Sequence, residues 1–246
     1  MTEADLRPLP AAVAALVADF RAGLQAALDE ALASFYLYGS VAFPAPPSWR
    51  HDVDFHVLVP GPIDGPTREQ LHALHAHLAR RHELGAELDG YYVTLADAAG
   101  RESPVSQYDA AHRDFAWALH RAHVLAGRFV LVTGVDPRHM LVAPDWNELE
   151  VALTAEMEFI ESHPSSRAFG VLNAARVLYS RRTRDVVVSK YQAAEWSHVE
   201  LDPEWHDVVA AAVRAYTGEE QAGDTAALEH LGPAFVAMVR RALASG

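Results

Sequence analysis

The chain has 246 residues, of which 50% are hydrophobic and 22% are charged, a composition typical of a folded globular protein rather than a disordered or fibrous one. Its formal net charge of −13 disfavours general binding to nucleic-acid backbones, because such proteins usually cluster lysine and arginine, and fits a cationic small molecule better. The absence of cysteine excludes disulfides, thiolate zinc sites and cysteine nucleophiles.

The N-terminal segment and the apolar runs bear on where the protein works. Acidic residues occupy positions 1–5, where a signal peptide would carry basic ones. We find no uninterrupted apolar run close to the roughly 20 residues that a membrane helix needs. We therefore expect a cytoplasmic protein with no membrane partner.

The N-terminal half of the chain mixes helical and strand patterns. Apolar residues recur at helical spacing over 11–33 and 67–80, which predicts two helices. Short apolar runs bounded by glycine or proline predict strands, and three prolines within 43–49 predict a loop. Segment 106–125 is ambiguous. The predicted strands cover 35–38, 53–59, 88–95 and 129–132.

The C-terminal half shows helical patterns only. From about residue 146 onward, helical spacing predicts helices over 146–160, 169–179, 190–199, 203–216 and 226–243. Pro137 and Pro144 lie where the pattern changes, so we predict one domain over 1–140 and a second over 145–246. The expected fold class is α+β, with an N-terminal mixed sheet flanked by helices followed by an all-α C-terminal helical bundle.

Two aspartates at the start of the second predicted strand indicate chemistry. Asp52 and Asp54 are separated by one residue, and because strand side chains alternate, both should project from one face. Paired carboxylates suit magnesium, which completes its coordination with phosphate oxygens and water. Gly39 and Ser40 end the preceding strand and offer backbone N–H groups and a hydroxyl to phosphate. The pattern predicts a site for magnesium and a nucleoside triphosphate.

A third carboxylate would complete a two-metal arrangement, in which one cation helps to activate the attacking oxygen and the other stabilises the leaving group. Asp89 and Glu87 lie two residues apart near the start of the third predicted strand. Either could reach the aspartate pair on a neighbouring strand, so the sequence leaves both open.

These motifs resemble the nucleotidyltransferase superfamily, and within it the aminoglycoside adenylyltransferases of the streptomycin and spectinomycin type. The family's N-terminal signature is Gly-Ser, a loop and Asp-x-Asp before an apolar run, which Gly39-Ser40 and Asp52-Val53-Asp54 match. Segments 171–180, 189–190 and 193–196 resemble its helical C-terminal domain. The resemblance implies a nucleotidyltransferase-type sheet and transfer of AMP from ATP to a hydroxyl of a small molecule, with Mg²⁺ as cofactor.

The resemblance also implies roles for individual residues. Asp52, Asp54 and Asp89 would be the catalytic and metal-binding carboxylates, Asp89 standing where the family has glutamate. The nucleotide would be bound by Gly39, Ser40, Asp114 and Lys190. His51 stands where the family has serine, and it is a further candidate phosphate contact because it adjoins the aspartates. Lys190 is the only lysine among the 20 lysine and arginine residues, as expected if a compact point charge is needed for phosphate.

Three alternatives remain open at the sequence level. The loop 43–49 is proline-rich where the resembled family usually has a glycine-containing loop. This departure and His51 would also fit a sensor or regulatory protein that binds a nucleotide without transferring it. A basic stretch at Arg181, Arg182 and Arg184 leaves room for an RNA or protein acceptor. His72 and His75 share a face of a predicted helix and could bind zinc, although such sites normally need a third ligand.

Overall fold

The computed structural model describes residues 9–50, 52–165 and 167–244, and these residues form two compact units. The first unit contains residues 9–42 and 52–144. The second contains 145–244 and, in addition, the proline-rich loop 43–50. The loop therefore groups with the helical part of the chain, although the sequence places it between two strands of the sheet.

A mixed sheet of four strands organises the first unit. The strand order is β3-β2-β1-β4, with β1 antiparallel to both of its neighbours and β2 parallel to β3. Each predicted strand is confirmed, with ends shifted by no more than two residues. The strands are β1 Ser34–Tyr38, β2 Val53–Val59, β3 Leu88–Thr94 and β4 Val130–Gly134.

One face of the sheet is covered by α1 Ala11–Leu28 and α2 Gly65–Arg81. Phe20 of α1 packs edge-on against Phe35 and Phe55, with ring centroids 5.0 and 4.9 Å away. The segment Ala11–Ala31 has a mean hydropathy of 1.4 and is long and apolar enough to cross a membrane, which corrects the expectation that no run of that kind exists. Its apolar stripe is buried in this core, as in a helix of a soluble protein.

The opposite face of the sheet carries α3 Leu95–Ala98 and α4 Trp117–Leu125. The ambiguous segment 106–125 thus resolves into a loop with an isolated bridge, followed by a short helix. Tyr36, Leu58 and Trp117 form the apolar part of this second core. Polar side chains of the same face form the candidate site described below.

Helices make up the second unit. The helix α6 is buried on most sides and contacts the other five, and its neighbours bury their apolar stripes against it. The single helix predicted over 226–243 is wrong: two helices occur, because Pro233 has no N–H to continue a helix and instead occupies the first turn of a new one. The helices are α5 Trp146–Ser162, α6 Arg167–Thr183, α7 Lys190–Glu200, α8 His206–Thr217, α9 Asp224–His230 and α10 Gly232–Ala244.

The proline-rich loop is held in the second unit by contacts with α8 and α7. The Arg50 N–H donates to the Tyr216 carbonyl at 2.8 Å, and the Trp49 ring lies 5.1 Å from Tyr216 and 5.6 Å from Tyr191. Trp49 is buried by these contacts. The predicted fold class, an α+β protein with a mixed sheet and a helical C-terminal part, is confirmed.

An ion pair in the second unit makes its stability depend on pH. Arg214 donates to both carboxylate oxygens of Asp224 at 2.5 and 2.8 Å, and the Gln221 N–H donates at 2.8 Å. The Arg214 hydrogen bonds, then that of Gln221, lower the pKa of Asp224 to about 2. Because this value lies below the roughly 3.9 of an unfolded chain, the stabilisation is complete above pH ~4 and is lost as the pH falls towards 2.

We expect Asp224→Asn to lower the melting temperature at pH 7 and to have little effect near pH 2. Thermal unfolding followed by circular dichroism across this range checks it. Asp202→Asn is the control, since this exposed residue caps its turn without a side-chain hydrogen bond. An equal loss of melting temperature at both pH values would contradict the linkage.

Candidate active site

The corner after β1 lies directly beside the start of β2. The 3₁₀ turn Gly39–Ala42 follows Tyr38, and the Ser40 hydroxyl donates to the Asp52 carbonyl at 3.2 Å. Gly39 has φ +65°, and a Cβ at this position would overlap the Asp54 carboxylate. The turn therefore needs glycine for two reasons, its left-handed backbone and the carboxylate packed against it.

Two of the predicted carboxylates are paired across the sheet. Asp54 and Asp89 are partners in the parallel register of β2 and β3, and Tyr38 of β1 is the partner of Asp54 on the other side. Neighbouring strands lie about 4.8 Å apart, and partners in register project from the same face. Asp89 is 62% exposed, and its Oδ1 lies 3.9 Å from Nε2 of His112. The two carboxylates thus form an adjacent, accessible pair.

Tyr38, Asp54 and Asp89 form a row across three strands, and the pKa of the buried Tyr38 hydroxyl reflects the negative charge of that row. Burial raises the pKa of Tyr38 well above its usual range, and the negative charges of Asp114, Asp54 and Asp89 raise it further. Tyr38 is therefore neutral at any physiological pH. The acidic groups around Tyr38 also create a negative potential, which attracts cations to the exposed side of the row.

The remaining carboxylates occupy less regular positions. Asp52 directly precedes β2, so strand alternation does not by itself set its direction, although it is half-buried next to the Ser40 turn. Glu87 is an exposed residue at the end of the 3₁₀ turn Glu83–Glu87. Of the two candidates for the third carboxylate, Asp89 is the one that lies in register with Asp54. His51 lies outside the residues that the structure describes.

The residues present fit magnesium. Asp54 and Asp89 supply hard carboxylate oxygens from adjacent strands, with Asp52 two residues upstream, which is the donor chemistry that Mg²⁺ prefers. The glycine corner adds a cradle where any side chain would overlap Asp54. A divalent ion held there would keep open positions for phosphate oxygens.

Asp114 is placed differently from the expectation that it contacts the nucleotide. It is fully buried, and its Oδ2 lies 3.3 Å from Nε2 of His56 and 2.9 Å from Nδ1 of His120. Burial alone would raise the pKa of Asp114, but the interactions with His120 and the hydrogen bond of His56 outweigh it and hold the pKa below its usual range. An ionised, enclosed carboxylate is suited to organising neighbouring side chains rather than to touching a ligand.

Lys190 lies in the second unit, in the first turn of α7. Ser189 and Gln192 form a capping box there, each side chain bonding to the backbone of the other. The Lys190 ammonium lies 4.5 Å from the Phe169 ring centroid and 3.4 Å from the Tyr216 hydroxyl. A positive charge at a helix N-terminus creates a local environment that favours anions.

Two groups singled out in the sequence have structural roles. His75 bonds to the Tyr92 hydroxyl at 2.8 Å and His72 stacks on Tyr108, and the described residues provide no third ligand for that pair. In the basic stretch, Arg181 and Arg184 both pair with Glu150, whose single negative charge offsets one of the three positive charges.

Sequence reasoning missed His56 and His120. His56 follows Asp54 by two residues on the same strand and so shares its face, a signal that strand alternation could have provided. His120 gave no comparable signal, because its segment had no clear pattern. Both histidines contact the Tyr38 ring, at centroid distances of 4.3 and 4.4 Å.

Comparisons with known proteins agree with this architecture. Residues 145–242 match the family model of the aminoglycoside adenylyltransferase C-terminal domain. The fold is similar to the crystal structure of spectinomycin adenyltransferase AAD(9) from Enterococcus faecialis with ATP and spectinomycin, with TM-score 0.68 and 16% identity over 90% of this chain and 98% of that chain. No curated protein sequence matches the chain. The resemblance predicted from the sequence is therefore confirmed, through the helical domain and the shared fold.

Proposed function

We propose that this chain, whose residues 145–242 match the family model of the aminoglycoside adenylyltransferase C-terminal domain, transfers AMP from ATP to a hydroxyl of an aminoglycoside-type antibiotic in a magnesium-dependent reaction. One observation carries the proposal: Asp54 and Asp89 stand in register beside a glycine-serine corner. The similar fold of an adenyltransferase crystallised with ATP and spectinomycin supports the choice of nucleotide and acceptor class. The net charge of −13 suits an amine-rich acceptor.

In this proposal the first unit holds the triphosphate and the reacting groups. Asp52, Asp54 and Asp89 bind magnesium, which supplies Lewis-acid stabilisation of phosphate charge when bound. The backbone N–H groups at Gly39 and Ser40 donate to phosphate oxygens. Asp89 accepts the proton of the acceptor hydroxyl. The hydroxyl oxygen bonds to the α-phosphorus, the bond from that phosphorus to the pyrophosphate oxygen breaks, and pyrophosphate leaves.

Lys190 of α7 remains a candidate phosphate contact in the proposal. Its position in the first turn of α7 and its compact charge support this role, and phosphate would compete with the aromatic rings that now surround the ammonium. His51 adjoins Asp52 in the sequence and is retained as a candidate phosphate contact on that ground. Asp114 has no direct nucleotide contact in the proposal because it is buried.

A nucleotide-binding sensor without transferase activity is the competing function. It would use the same carboxylates to bind magnesium and nucleotide but would have no acceptor. Incubation with magnesium, α-labelled ATP and either spectinomycin or streptomycin separates the two. Label on the antibiotic supports the transferase, whereas saturable nucleotide binding with no transfer to either antibiotic supports the sensor.

Variants of Asp89 and Glu87 test which of the two carboxylates acts as the base in that reaction. We expect Asp89→Asn to lower kcat by about 10²–10⁴-fold, the usual contribution of a positioned base, with folding unchanged because the side chain is 62% exposed. Asp89→Glu should keep much of the activity, since it restores the residue that the resembled family carries. Glu87→Gln is the matched control. A larger loss in Glu87→Gln than in Asp89→Asn would transfer the role to Glu87.

A further inference from the structure

A buried cluster of one carboxylate and two imidazoles lies on the same face of the sheet as the magnesium carboxylates. His56 follows Asp54 on β2, Asp114 lies in the loop before α4, and His120 is in the first turn of α4. Each offers one ligand atom, and the three atoms lie within 4.8 Å of one another. We propose that His56, Asp114 and His120 bind one zinc-like divalent transition-metal ion, at a site separate from Asp52, Asp54 and Asp89.

The distances fit a metal that is coordinated by all three side chains. Bonds of about 2.0–2.2 Å in a tetrahedral site place the ligand atoms roughly 3.3 Å apart. Asp114 Oδ2 lies 3.3 Å from the His56 nitrogen and 2.9 Å from that of His120. The Asp114 oxygen can therefore share an ion with each histidine after small side-chain adjustments, and the His56 and His120 ligand nitrogens lie within 4.8 Å of each other. The imidazole protons would move to the other ring nitrogens.

Unsatisfied polar atoms provide an independent reason for an ion here. Tyr36 Oη, His56 Nδ1, Asp114 Oδ1 and Trp117 Nε1 are all buried without a hydrogen-bond partner among the described residues. Three of these atoms belong to side chains that contact the His56 ring or bond to it, and the fourth is a nitrogen of that ring. Buried polar atoms are normally paired. Asp114 Oδ1 is an acceptor that a cation in the cluster could satisfy, whereas the N–H groups of Trp117 and His56 need an acceptor such as ordered water.

The buried charge of Asp114 is compatible with a bound cation. Asp114 is a fully buried carboxylate, and a buried charge is costly unless a counter-charge accompanies it. The two imidazoles give hydrogen bonds, and the charge of His120 also stabilises the carboxylate, whereas a divalent cation would supply coordination together with a larger charge. The second carboxylate oxygen, Asp114 Oδ1, adds a further donor atom.

Ligand type separates this site from the magnesium site. Two imidazoles with one carboxylate are a donor set typical of zinc and related metals, and three protein ligands leave one coordination position open. Magnesium prefers oxygen donors, as at Asp54 and Asp89. The two sites should therefore select different ions, even though His56 is only two residues from Asp54.

The proposed ion would connect the sheet to the segment above it. His56 is a sheet residue, whereas Asp114 and His120 lie on either side of the start of α4. The His56 and His120 rings both contact Tyr38, which is the strand partner of Asp54. Coordination would fix these elements more rigidly than two hydrogen bonds do. The expected consequence is a higher melting temperature of the zinc-loaded chain.

Zinc content and affinity of the full, untagged chain test this proposal. After EDTA treatment, the protein is loaded with zinc in excess magnesium, desalted and assayed by inductively coupled plasma mass spectrometry. Competition with a chromogenic zinc indicator gives the affinity. We expect stoichiometric zinc, and in His120→Gln and Asp114→Asn a loss of affinity beyond the roughly 10–100-fold that an outer-shell partner typically costs.

Controls separate the cluster from other zinc-binding groups. His77→Gln removes an exposed histidine of α2 and should retain zinc, and Asp54→Asn should retain it although the magnesium site is altered. Cobalt substitution gives a second readout, because a tetrahedral cobalt site absorbs visible light strongly. His120→Gln is the main variant, since its side chain is 18% exposed and the substitution is tolerable for folding.

Substoichiometric zinc in the wild-type chain, with no tetrahedral cobalt spectrum, would overturn the proposal and assign the polar atoms to ordered water. Zinc that is lost in Asp54→Asn but kept in His120→Gln would also overturn it, by locating the ion at the magnesium carboxylates. Neither result bears on nucleotidyl transfer, which the labelled-ATP experiment tests separately.

Discussion

Replacing Asp54 by asparagine is expected to lower AMP transfer by a factor on the order of 10³ and to abolish magnesium-dependent ATP binding. The substitution keeps the size of the side chain but removes the charge that, with Asp89, would hold the ion. Because Asp54 is only half-buried at the end of the sheet, the folded state should persist. Antibiotic-dependent release of pyrophosphate measures the transfer.

A thermal shift measures the binding part of the same prediction. For the wild-type chain, ATP with magnesium at 100 times the dissociation constant should stabilise by about 2.7 kcal/mol, and this shift should be absent in Asp54→Asn. Glu69→Gln is the control for the change of charge, since Glu69 is an exposed residue of α2. An Asp54→Asn variant with wild-type transfer would exclude the carboxylate row as the metal site.

Gly39→Ala is expected to remove activity by displacing Asp54, whereas Gly127→Ala should not. Both glycines have a left-handed backbone, with φ +65° and +79°, so either substitution costs about 1–2 kcal/mol of backbone strain. At Gly39 the new Cβ also overlaps the Asp54 carboxylate, while at Gly127 nothing lies within 4 Å. The matched pair separates loss of stability from loss of the site.

The measurements are denaturant unfolding and transfer kinetics on both variants. Gly127→Ala should be destabilised but retain kcat, and Gly39→Ala should lose at least about 10²-fold in kcat/KM, as expected when a charge-stabilising group is misplaced. Equal activity in the two variants would show that the Asp54 carboxylate can move without consequence, and the corner would then have no role beyond turning the chain.

The sequence predicted the local elements well and the register poorly. Strand β2 begins and ends where the pattern predicted, because β-branched and aromatic runs bounded by glycine and proline are local signals. The break near Leu231 was missed because the apolar spacing continues across it. The choice between Asp89 and Glu87 stayed open, because which residue faces Asp54 depends on the alignment of two strands far apart in the chain.

The sequence by itself determined the mixed and helical halves and the glycine-serine corner, since each is a short-range pattern whose physical basis lies within a few residues. Only the tertiary structure decided that Asp89 stands beside Asp54, that the loop Phe43–Arg50 groups with the helical unit, and that Asp114 lies buried between two histidines. These features depend on long-range packing, in which the burial of apolar surface selects among pairings that local propensity leaves equal.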